Sequence, residues 1–233
     1  MPIVHAAPSR TAARLAAIGL GIALSGACGE RATRADAQQP AAQAARAAPA
    51  ATPSTATRDT AIFASGCFWC SEADFQKVPG VIDAVSGYTG GQLANPTYEQ
   101  VSAGGTGHYE AVRVVFDPRR VRYAQLLDAF WRNVDPVDGG GQFCDRGESY
   151  RAAIFPRDAE QQRLAAASKQ ALERSRRFPQ PITVAVVPAS AFYPAEAYHQ
   201  EYANRNPLRY RFYRTGCGRD ARLRAAWGEA AGH

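Results

Sequence analysis

The sequence TAIFASGCFWCSEADFQKV, residues 60–78, decides the fold of this chain and carries its chemistry. Its first five residues form an apolar run that predicts a strand, and residues 71–78 predict a helix. Cys67 lies at the junction, where the N–H groups that open a helix lack intrahelical partners and the helix dipole is positive. Both features favour a thiolate, so the junction predicts a nucleophilic or redox-active cysteine. A lone cysteine is more often a small buried hydrophobe, but the neighbouring Cys70 favours chemistry.

The first quarter of the chain is not predicted to belong to the domain. Arg10 and Arg14 precede an apolar run, residues 15–27, which is too short to span a bilayer and ends in small residues. A basic start, a short apolar stretch and a small-residue exit are typical of an export signal. We therefore predict a signal peptide over residues 1–28 and an exported bacterial envelope protein.

Two alternatives remain open for the mature N-terminus. Residues 24–27 before Cys28 resemble the lipobox of bacterial lipoproteins, although the leucine is one place too far from the cysteine. An Ala-x-Ala exit at residues 35–37 would instead release a soluble periplasmic protein. Residues 29–58 are rich in Ala, Pro, Gln and Thr and predict a flexible tether, because they cannot bury a core. A catalytic domain over residues 59–218 and a tail over 219–233 are predicted to complete the chain.

The charge of the chain does not favour nucleic-acid binding. Its formal charge is +6, and five arginines against two acids precede Arg58, so the rest carries only +3. That charge is spread over many residues, which is typical of a solvated surface. The densest basic stretches, residues 174–177 and 205–214, are predicted to be an exposed helix end and a solvated loop. We expect a monomer.

Short strands and helices alternate through the domain. Strands are predicted at residues 60–64, 81–88, 109–116, 150–155 and 182–187, and helices at 71–78, 123–134, 158–177 and 195–204. This order predicts an α+β two-layer sandwich with a mostly antiparallel ferredoxin-like sheet, built from two split βαβ units, and a long irregular C-terminal segment. Two Gly-rich stretches, residues 89–107 and 138–147, are predicted to be loops, and long loops in compact domains are usually functional or disordered.

Four cysteines remain after the export signal. Cys67, Cys70, Cys144 and Cys217 permit three complete disulfide pairings, and their positions do not choose among them. Cys70 has the Cys-x-x-Cys spacing of thioredoxin-type redox pairs. Cys217 is flanked by glycines, which favours a mobile arm that could reach Cys67, although a structural disulfide is an equal alternative. Zinc is not favoured, because structural zinc sites usually show two close pairs and only one is present.

Acidic and tyrosine side chains accompany the two Gly-rich stretches. Glu110 stands where the first stretch enters a strand, and a partly buried carboxyl group there would have a raised pKa and could act as a general acid. An exposed charge at a strand end is the commoner case. Tyr98 lies in the first stretch, and Asp145 and Tyr150 flank the second. Tyrosine hydroxyls can hold a polarised oxygen, although ordinary aromatic packing is the alternative.

A series of short motifs, taken in order, resembles the A-type peptide methionine sulfoxide reductases. The motifs are Gly66-Cys-Phe-Trp69, Gly87-Tyr-Thr-Gly-Gly91, Asn95-Pro-Thr-Tyr98, Gly105-Thr-Gly-His-Tyr-Glu110, Asp117-Pro118, Phe130-Trp131 and Tyr198-His-Gln-Glu-Tyr202. The resemblance covers about residues 60–217. It implies reduction of the S epimer of methionine sulfoxide, free or in proteins, with no bound cofactor and an external dithiol such as thioredoxin.

The resemblance also implies roles for individual residues. Cys67 would attack the sulfoxide sulfur and become a sulfenic acid. The other implied roles are a methyl-binding wall from Phe68 and Trp69, oxygen-binding groups from Glu110, Tyr98 and Tyr150, an acid near the thiol from Asp145, and C-terminal aromatics from Tyr202 and Tyr210.

Two departures from the family pattern concern the resolving cysteine. Cys70 stands where the family usually has glycine, and Cys144 stands beside Asp145. Cys217 is the favoured resolving residue, because the family resolves through a C-terminal arm, and Cys70 is the alternative. Two other functions remain open at this point. They are a thioredoxin-type thiol-disulfide oxidoreductase that uses Cys67 and Cys70, and a non-catalytic envelope lipoprotein in which the cysteines only staple the fold.

Overall fold

A computed structural model describes residues 57–232. The predicted signal peptide, Cys28 and the tether up to residue 56 lie outside the described residues. The strands are β1 (Asp59–Ser65), β2 (Val81–Thr89), β3 (Tyr109–Phe116), β4 (Gly141–Gln142), β5 (Asp145–Arg146), β6 (Ala152–Ile154), β7 (Ala185–Val186) and β8 (Tyr193–Pro194). The helices are α1 (Phe68–Gln76), α2 (Tyr98–Ser102), α3 (Tyr123–Arg132), α4 (Ala159–Ser175), α5 (Tyr202–Arg205), α6 (Pro207–Gly216) and α7 (Arg219–Trp227).

Six strands form one mixed sheet in the order β7-β6-β1-β3-β2-β8. All neighbouring pairs are antiparallel except β6 and β7, which are parallel. Helix α1 connects β1 to β2 and α3 lies between β3 and β6, so in each unit another strand separates the two strands that the helix joins. The predicted α+β class with a mostly antiparallel sheet is confirmed. Strands β4 and β5 form a separate hairpin within the second Gly-rich stretch.

The sheet is covered on both faces. Alternate residues of β1 point to opposite sides, so Ala61 and Phe63 join the main core, whereas Ile62 and Ala64 join a smaller cluster on the other face. Helices α1, α3, α4 and α7 all supply side chains to the main core. Because β1 is buried on both sides, its sequence is a continuous apolar run rather than an alternating one. Among the described helices, none combines the length and the apolar character needed to cross a lipid bilayer.

The C-terminal segment departs most from the prediction. Residues 205–214 were expected to be a solvated loop and residues 219–233 a tail, yet α6 and α7 occupy most of this segment and pack on the domain. Leu223 and Trp227 of α7 are buried, and the indole of Trp227 donates to the carbonyl of Val134 over 2.9 Å. Both helices are rich in arginine, so their apolar residues do not form a clear helical pattern in the sequence, and neither helix was predicted. The predicted end of the domain at residue 218 is therefore wrong.

Smaller differences concern element ends. The predicted helix over residues 195–204 is reduced to α5, and the predicted strand over 182–187 is reduced to the two residues of β7. The first Gly-rich stretch contains the short helix α2, which Thr97 caps by accepting the N–H of Gln100. The predicted exposed helix end at residues 174–177 is confirmed, because α4 ends at Ser175 and the residues after it are exposed.

The core predicts a large cost for removing Phe63. Its ring is fully buried and stacks on Phe75, Tyr123 and Phe130 at centroid distances of 4.9, 6.0 and 5.4 Å. We expect Phe63→Ala to lower the free energy of unfolding by about 3–5 kcal/mol, since it leaves a cavity at the centre of the sheet. Urea unfolding followed by circular dichroism measures this.

Phe212→Ala is the matched control for Phe63→Ala. The Phe212 side chain is 84% exposed, so its loss should change the free energy of unfolding by less than about 0.5 kcal/mol. Equal effects of the two substitutions would contradict the position of the core.

Candidate active site

A sharp junction between β1 and α1 presents Cys67. Gly66 has a φ of +82°, and a Cβ atom on it would lie only 2.6 Å from Cβ of Gln142, so the turn requires glycine. Helix α1 begins at Phe68, three residues earlier than predicted, which makes Cys67 its N-cap and places Cys70 in its first turn. The carbonyl of Cys67 accepts the N–H groups of Cys70 and Ser71, each over 3.2 Å. Cys67 therefore lies at the positive end of the helix, as predicted.

Cys67 opens into a small cavity of about 70 Å³. Seven of the predicted site residues line this cavity together, and a further tyrosine joins them. The lining residues are Cys67, Phe68, Trp69, Tyr98, Glu110, Asp145, Tyr150 and Tyr213. They come from the β1–α1 junction, the first Gly-rich stretch, β3, the second Gly-rich stretch with the turn just after it, and α6, so the fold gathers residues that are far apart in the sequence.

Glu110 is the buried acid of the cavity. Its side chain on β3 is only 3% exposed, and its carboxylate oxygen Oε2 accepts the N–H of Phe68 over 3.0 Å. Burial raises the pKa of Glu110 to about 8, although the hydrogen bonds from Phe68 and Tyr150 oppose this shift. The carboxyl group therefore keeps its proton near neutral pH, as the sequence interpretation required of a general acid.

Tyr98 and Tyr150 line the same cavity as that acid. Burial raises the pKa of both hydroxyl groups, and the nearby charge of Glu110 raises them further. The two hydroxyl groups also interact with each other. Both remain protonated donors over the physiological range, so each can hold a polarised oxygen in the cavity.

Tyr213 is the functional residue that the sequence interpretation missed. Its hydroxyl donates to Oδ2 of Asp145 over 2.6 Å and also interacts with the thiol of Cys67. Burial raises the pKa of Asp145, whereas the hydrogen bond from Tyr213 lowers it. The helix α6 carries this tyrosine, and a solvated loop was predicted there. A helical reading of the segment would have placed Tyr210, Tyr213 and Cys217 on one face.

The structure corrects the placement of Tyr210. This residue does not line the cavity; its hydroxyl accepts Nη1 of Arg214 over 2.9 Å, behind α1. Tyr202 is also outside the cavity, but it supports the cavity wall. Its ring stacks on the indole of Trp69 with centroids 3.7 Å apart and an angle of 5°. The Trp69 indole N–H donates to Nδ1 of His199 over 3.0 Å, so the orientation of Trp69 is held from two sides.

The four cysteines form two pairs. Cys67 and Cys70 are free, and their side chains are 6% and 1% exposed. Cys217 was the favoured partner of Cys67, but here it forms a disulfide with Cys144. Asp145 contacts the outer pair as well, because its Oδ2 lies 3.8 Å from the sulfur of Cys217.

The inner thiols interact with each other. The hydrogen bond from Cys67 lowers the pKa of Cys70 to about 7 against the effect of burial, and the guanidinium groups of Arg219 and Arg214 lower it further. Burial raises the pKa of Cys67, and the interaction with Cys70 raises it further. When the pair ionises, its charge therefore lies on Cys70, where the hydrogen bond from Cys67 stabilises it, and not on Cys67 as the junction predicted.

A nucleophilic thiol with a second thiol in hydrogen-bond reach can take an oxygen atom from a substrate and then close a disulfide. The site is therefore that of a thiol-dependent oxidoreductase. This chain belongs to the peptide methionine sulfoxide reductase family, because the sequence model described as "Peptide methionine sulfoxide reductase" matches residues 59–231. The motif resemblance and the predicted enzyme class are thereby confirmed. Neither the thioredoxin-type alternative nor the non-catalytic lipoprotein fits this membership.

Similar proteins agree with this assignment. The chain is 54% identical to peptide methionine sulfoxide reductase MsrA 2 of Caulobacter vibrioides over 171 residues, which are 73% of this chain and 86% of that protein. It is 50% identical to MsrA of Bacillus subtilis over 171 residues, 73% and 97% of the two chains. Mxr1 of Saccharomyces cerevisiae in reduced form superimposes with a TM-score of 0.62 at 27% identity, covering 67% and 90%. Methionine sulfoxide reductase A of Corynebacterium diphtheriae gives 0.59 at 31%, covering 67% and 79%.

The raised pKa of Glu110 predicts a pH-dependent loss of stability. The pKa of this carboxyl rises from 4.5 to about 8 on folding, so between these values the folded chain holds a proton that the unfolded chain releases. Its contribution is full below about pH 4.5 and is lost as the pH rises towards 8, on the order of 5 kcal/mol in all. Glu110→Gln keeps an acceptor for Phe68 but does not titrate, so it should remove this slope from urea-unfolding free energies measured between pH 5 and 8.

Glu173→Gln, an exposed position on α4, is the control and should leave the slope in place. Parallel curves for wild type and Glu110→Gln would contradict the buried acid.

Proposed function

We propose that this enzyme reduces the S epimer of methionine sulfoxide, in exported proteins or as the free amino acid, through a sulfenic acid on Cys67. The observation that carries the proposal is the arrangement of a thiol, a buried acid and an aromatic wall around one cavity of about 70 Å³. A cavity of this size suits a methyl sulfoxide group and not a whole residue.

Three contacts would orient the sulfoxide. Its oxygen faces Glu110 and the two tyrosine hydroxyls, its methyl group faces Phe68 and Trp69, and its carbon chain leaves through the mouth of the cavity. Because these three substituents differ, only one epimer of the sulfoxide can make all three contacts and still expose its sulfur to attack by Cys67. The resemblance to A-type reductases identifies that epimer as S.

The first chemical step forms the sulfenic acid. The sulfur of Cys67 attacks the sulfoxide sulfur and forms a sulfur–sulfur bond to it. The oxygen then moves from the substrate sulfur to the sulfur of Cys67 as that sulfur–sulfur bond breaks, so the substrate leaves as methionine, reduced by two electrons, and Cys67 is oxidised to a sulfenic acid. A sulfoxide oxygen is a poor leaving group unless it is protonated, and Glu110, whose pKa is about 8, supplies that proton near neutral pH. Cys70, whose pKa is about 7, accepts the thiol proton of Cys67.

The second step regenerates a disulfide. The thiol of Cys70 attacks the Cys67 sulfenic acid, a sulfur–sulfur bond forms, and the hydroxyl leaves as water with the proton of Cys70. The hydrogen bond between the two thiols and the bonding of Cys217 to Cys144 support Cys70 over Cys217 in this role. An external dithiol of the thioredoxin kind then returns two electrons, so the chain needs no bound cofactor.

A single-turnover experiment tests these roles. Reduced protein is mixed with excess methionine sulfoxide without reductant, and the epimers are separated by chromatography. Cys67→Ser should produce no methionine, because the nucleophile is lost. Cys70→Ser should still produce methionine from the S epimer but should retain a Cys67 sulfenic acid that reacts with dimedone. Consumption of the R epimer, or turnover by Cys67→Ser, would overturn the proposal.

Glu110→Gln is the matched variant for the proton. It retains the hydrogen bond from Phe68 but cannot protonate the oxygen, so the first turnover should slow by about 10²–10⁴-fold while Cys67 still reacts with an alkylating agent. An unchanged first-turnover rate would assign the proton to another group.

We also propose that the enzyme works in the bacterial envelope. Arg10, Arg14 and the apolar residues 15–27 support export, and they precede either lipidation at Cys28 or cleavage after residues 35–37. Mass spectrometry of the mature protein distinguishes these outcomes: a diacylglycerol mass on Cys28 supports a lipoprotein, and an N-terminus just after residue 37 supports a soluble form. Recovery of the intact chain from Met1 would contradict export.

A further inference from the structure

We propose that an exposed strip of α6 binds the polypeptide on one side of an oxidised methionine and selects segments in which acidic and apolar residues neighbour that methionine. The α6 strip consists of Leu208, Arg209, Arg211 and Phe212, all of which are exposed. The inference rests on the function proposed above and deepens it, because it names a preferred class of protein substrate.

The cavity leaves most of a protein substrate outside it. Its volume of about 70 Å³ holds a methyl sulfoxide group, so the backbone and the neighbouring residues of an oxidised methionine rest on the surface around the mouth. Helix α6 forms part of that surface. Tyr213 of α6 lines the cavity, and Tyr202, just before the helix, stacks on Trp69 of the cavity wall. A polypeptide that leaves the cavity on this side therefore meets α6.

The α6 strip begins beside the cavity. Successive residues of an α-helix are about 100° apart, so Arg209 lies one turn before Tyr213 and about 40° from it around the helix axis. Phe212 and Leu208 follow about 60° and about 100° beyond Arg209, and Arg211 follows about 160° beyond it. The order around the helix is therefore the cavity, a cation, an apolar pair and a second cation.

Leu208 and Phe212 form an exposed apolar patch. Their side chains are 78% and 84% exposed, and a spacing of four residues places them on the same face of the helix. Among the large apolar side chains of the described residues, the next most exposed is Tyr198 at 55%. Adjacent apolar groups with this exposure are typical of a surface that binds a partner.

The positive charge of the α6 strip is not neutralised. Residues 202–218 contain four arginines and no acidic residue. Arg214 is paired with acids of the domain, but the ion pairs within the described part of the chain do not include Arg209 or Arg211. Both of these side chains are exposed. The strip therefore attracts acidic segments and repels basic ones.

Other occupants fit the α6 strip less well. Residues 29–56 of this chain carry three arginines, two acids and no large apolar side chain, so they match neither its charge nor its apolar pair. A second copy, related by a twofold axis through the strip, would oppose arginines to arginines. An anionic lipid surface has a suitable charge, but it does not explain why the strip adjoins the cavity. A substrate polypeptide explains the charge, the apolar pair and the position.

Peptides that contain methionine sulfoxide test the charge preference. In one peptide Asp and Leu neighbour the sulfoxide, in a second Lys and Leu do, and free methionine sulfoxide is the third substrate. With wild type and dithiothreitol, kcat/KM should be at least about tenfold higher for the acidic peptide than for the basic one. The difference should lie in KM, because the chemical step is the same, and it should shrink as the salt concentration rises from about 0.05 M to about 0.5 M.

Charge reversal locates the preference on α6. Arg209→Glu/Arg211→Glu should reverse the order of the two peptides and leave turnover of free methionine sulfoxide within about twofold. Arg163→Glu/Arg174→Glu makes the same change of charge at exposed positions of α4 and is the matched control, which should retain the preference. Arg209→Gln, a single neutral substitution at an exposed position, should lower the preference about threefold and keeps the test valid if the double variant folds poorly.

Phe212→Ser tests the apolar half of the strip. It should raise KM about threefold or more for the acidic peptide with Leu, but not for an acidic peptide in which Ser replaces that Leu, because only the first peptide buries an apolar side chain on the patch. Ile82→Ser, at a position of β2 that is 46% exposed, is the control and should leave both KM values unchanged.

Three results would overturn the proposal. The first is equal kcat/KM of wild type for the acidic and basic peptides. The second is an equal loss of the preference in the α4 control, which would indicate steering by the net charge of the chain. The third is loss of binding to phosphatidylglycerol vesicles in Arg209→Glu/Arg211→Glu with the peptide preference unchanged, which would assign the strip to a lipid surface.

The same substrates separate this proposal from the function on which it rests. A wild type that reduces no methionine sulfoxide, free or in peptides, would contradict the proposed function. A wild type that reduces all three substrates equally well would contradict only the docking of acidic segments on the α6 strip.

Discussion

The hydrogen bond from the N–H of Phe68 to the carboxyl group of Glu110 ties the first turn of α1 to the central strand β3. The active site depends on this contact, because it holds the acid beside Cys67 and satisfies an N–H group that has no partner within the helix. Two effects oppose each other here. The helix N-terminus and the hydrogen bond favour an ionised carboxylate, whereas burial favours the neutral acid. Burial is the larger effect and raises the pKa of Glu110 to about 8, so the acid is protonated where the chemistry needs a proton.

The C-terminal helices complete the site from the opposite side. Arg214 of α6 is buried against Asp74 of α1, and this pair sets the position of α6 relative to the catalytic helix. A buried ion pair adds little net stability, since the desolvation of both charges offsets their attraction, but it does specify one arrangement. In that arrangement Tyr213 contacts both Cys67 and Asp145, and Cys217 contacts Asp145. The same helix thus contributes to the active site and brings the outer disulfide beside it.

Sequence reasoning worked best where the pattern was local. The strand β3 was predicted with its observed ends, and Cys67 was predicted at a junction between a strand and a helix, although the helix begins at Phe68 and not at Ser71. The ordered motifs then identified Glu110, Tyr98, Tyr150 and Asp145 as one group, although the spacing alone left each of them open to an ordinary structural explanation. The sequence-based prediction was least accurate from residue 205 onwards, because the arginines of α6 and α7 give this segment the composition of a solvated loop. Arg219 is an example. It is only 1% exposed, and its guanidinium group donates to the carbonyls of Ser65 and Asn133. Burial of an arginine cannot be predicted from the residues next to it in the sequence.

The sequence by itself determined the α+β class, the position of the candidate nucleophilic thiol at the start of a helix and the enzyme family, because each of these depends on short stretches of neighbouring residues. Only the tertiary structure decided how the cysteines pair, which C-terminal tyrosine enters the cavity and where the domain ends. These properties depend on which side chains meet across distances of 70 residues and more, as Cys144 and Cys217 do. These contacts depend on how α6 packs against α1 and the β4–β5 hairpin. The spacing of four cysteines along the chain does not predict that packing, and therefore does not predict which cysteines pair.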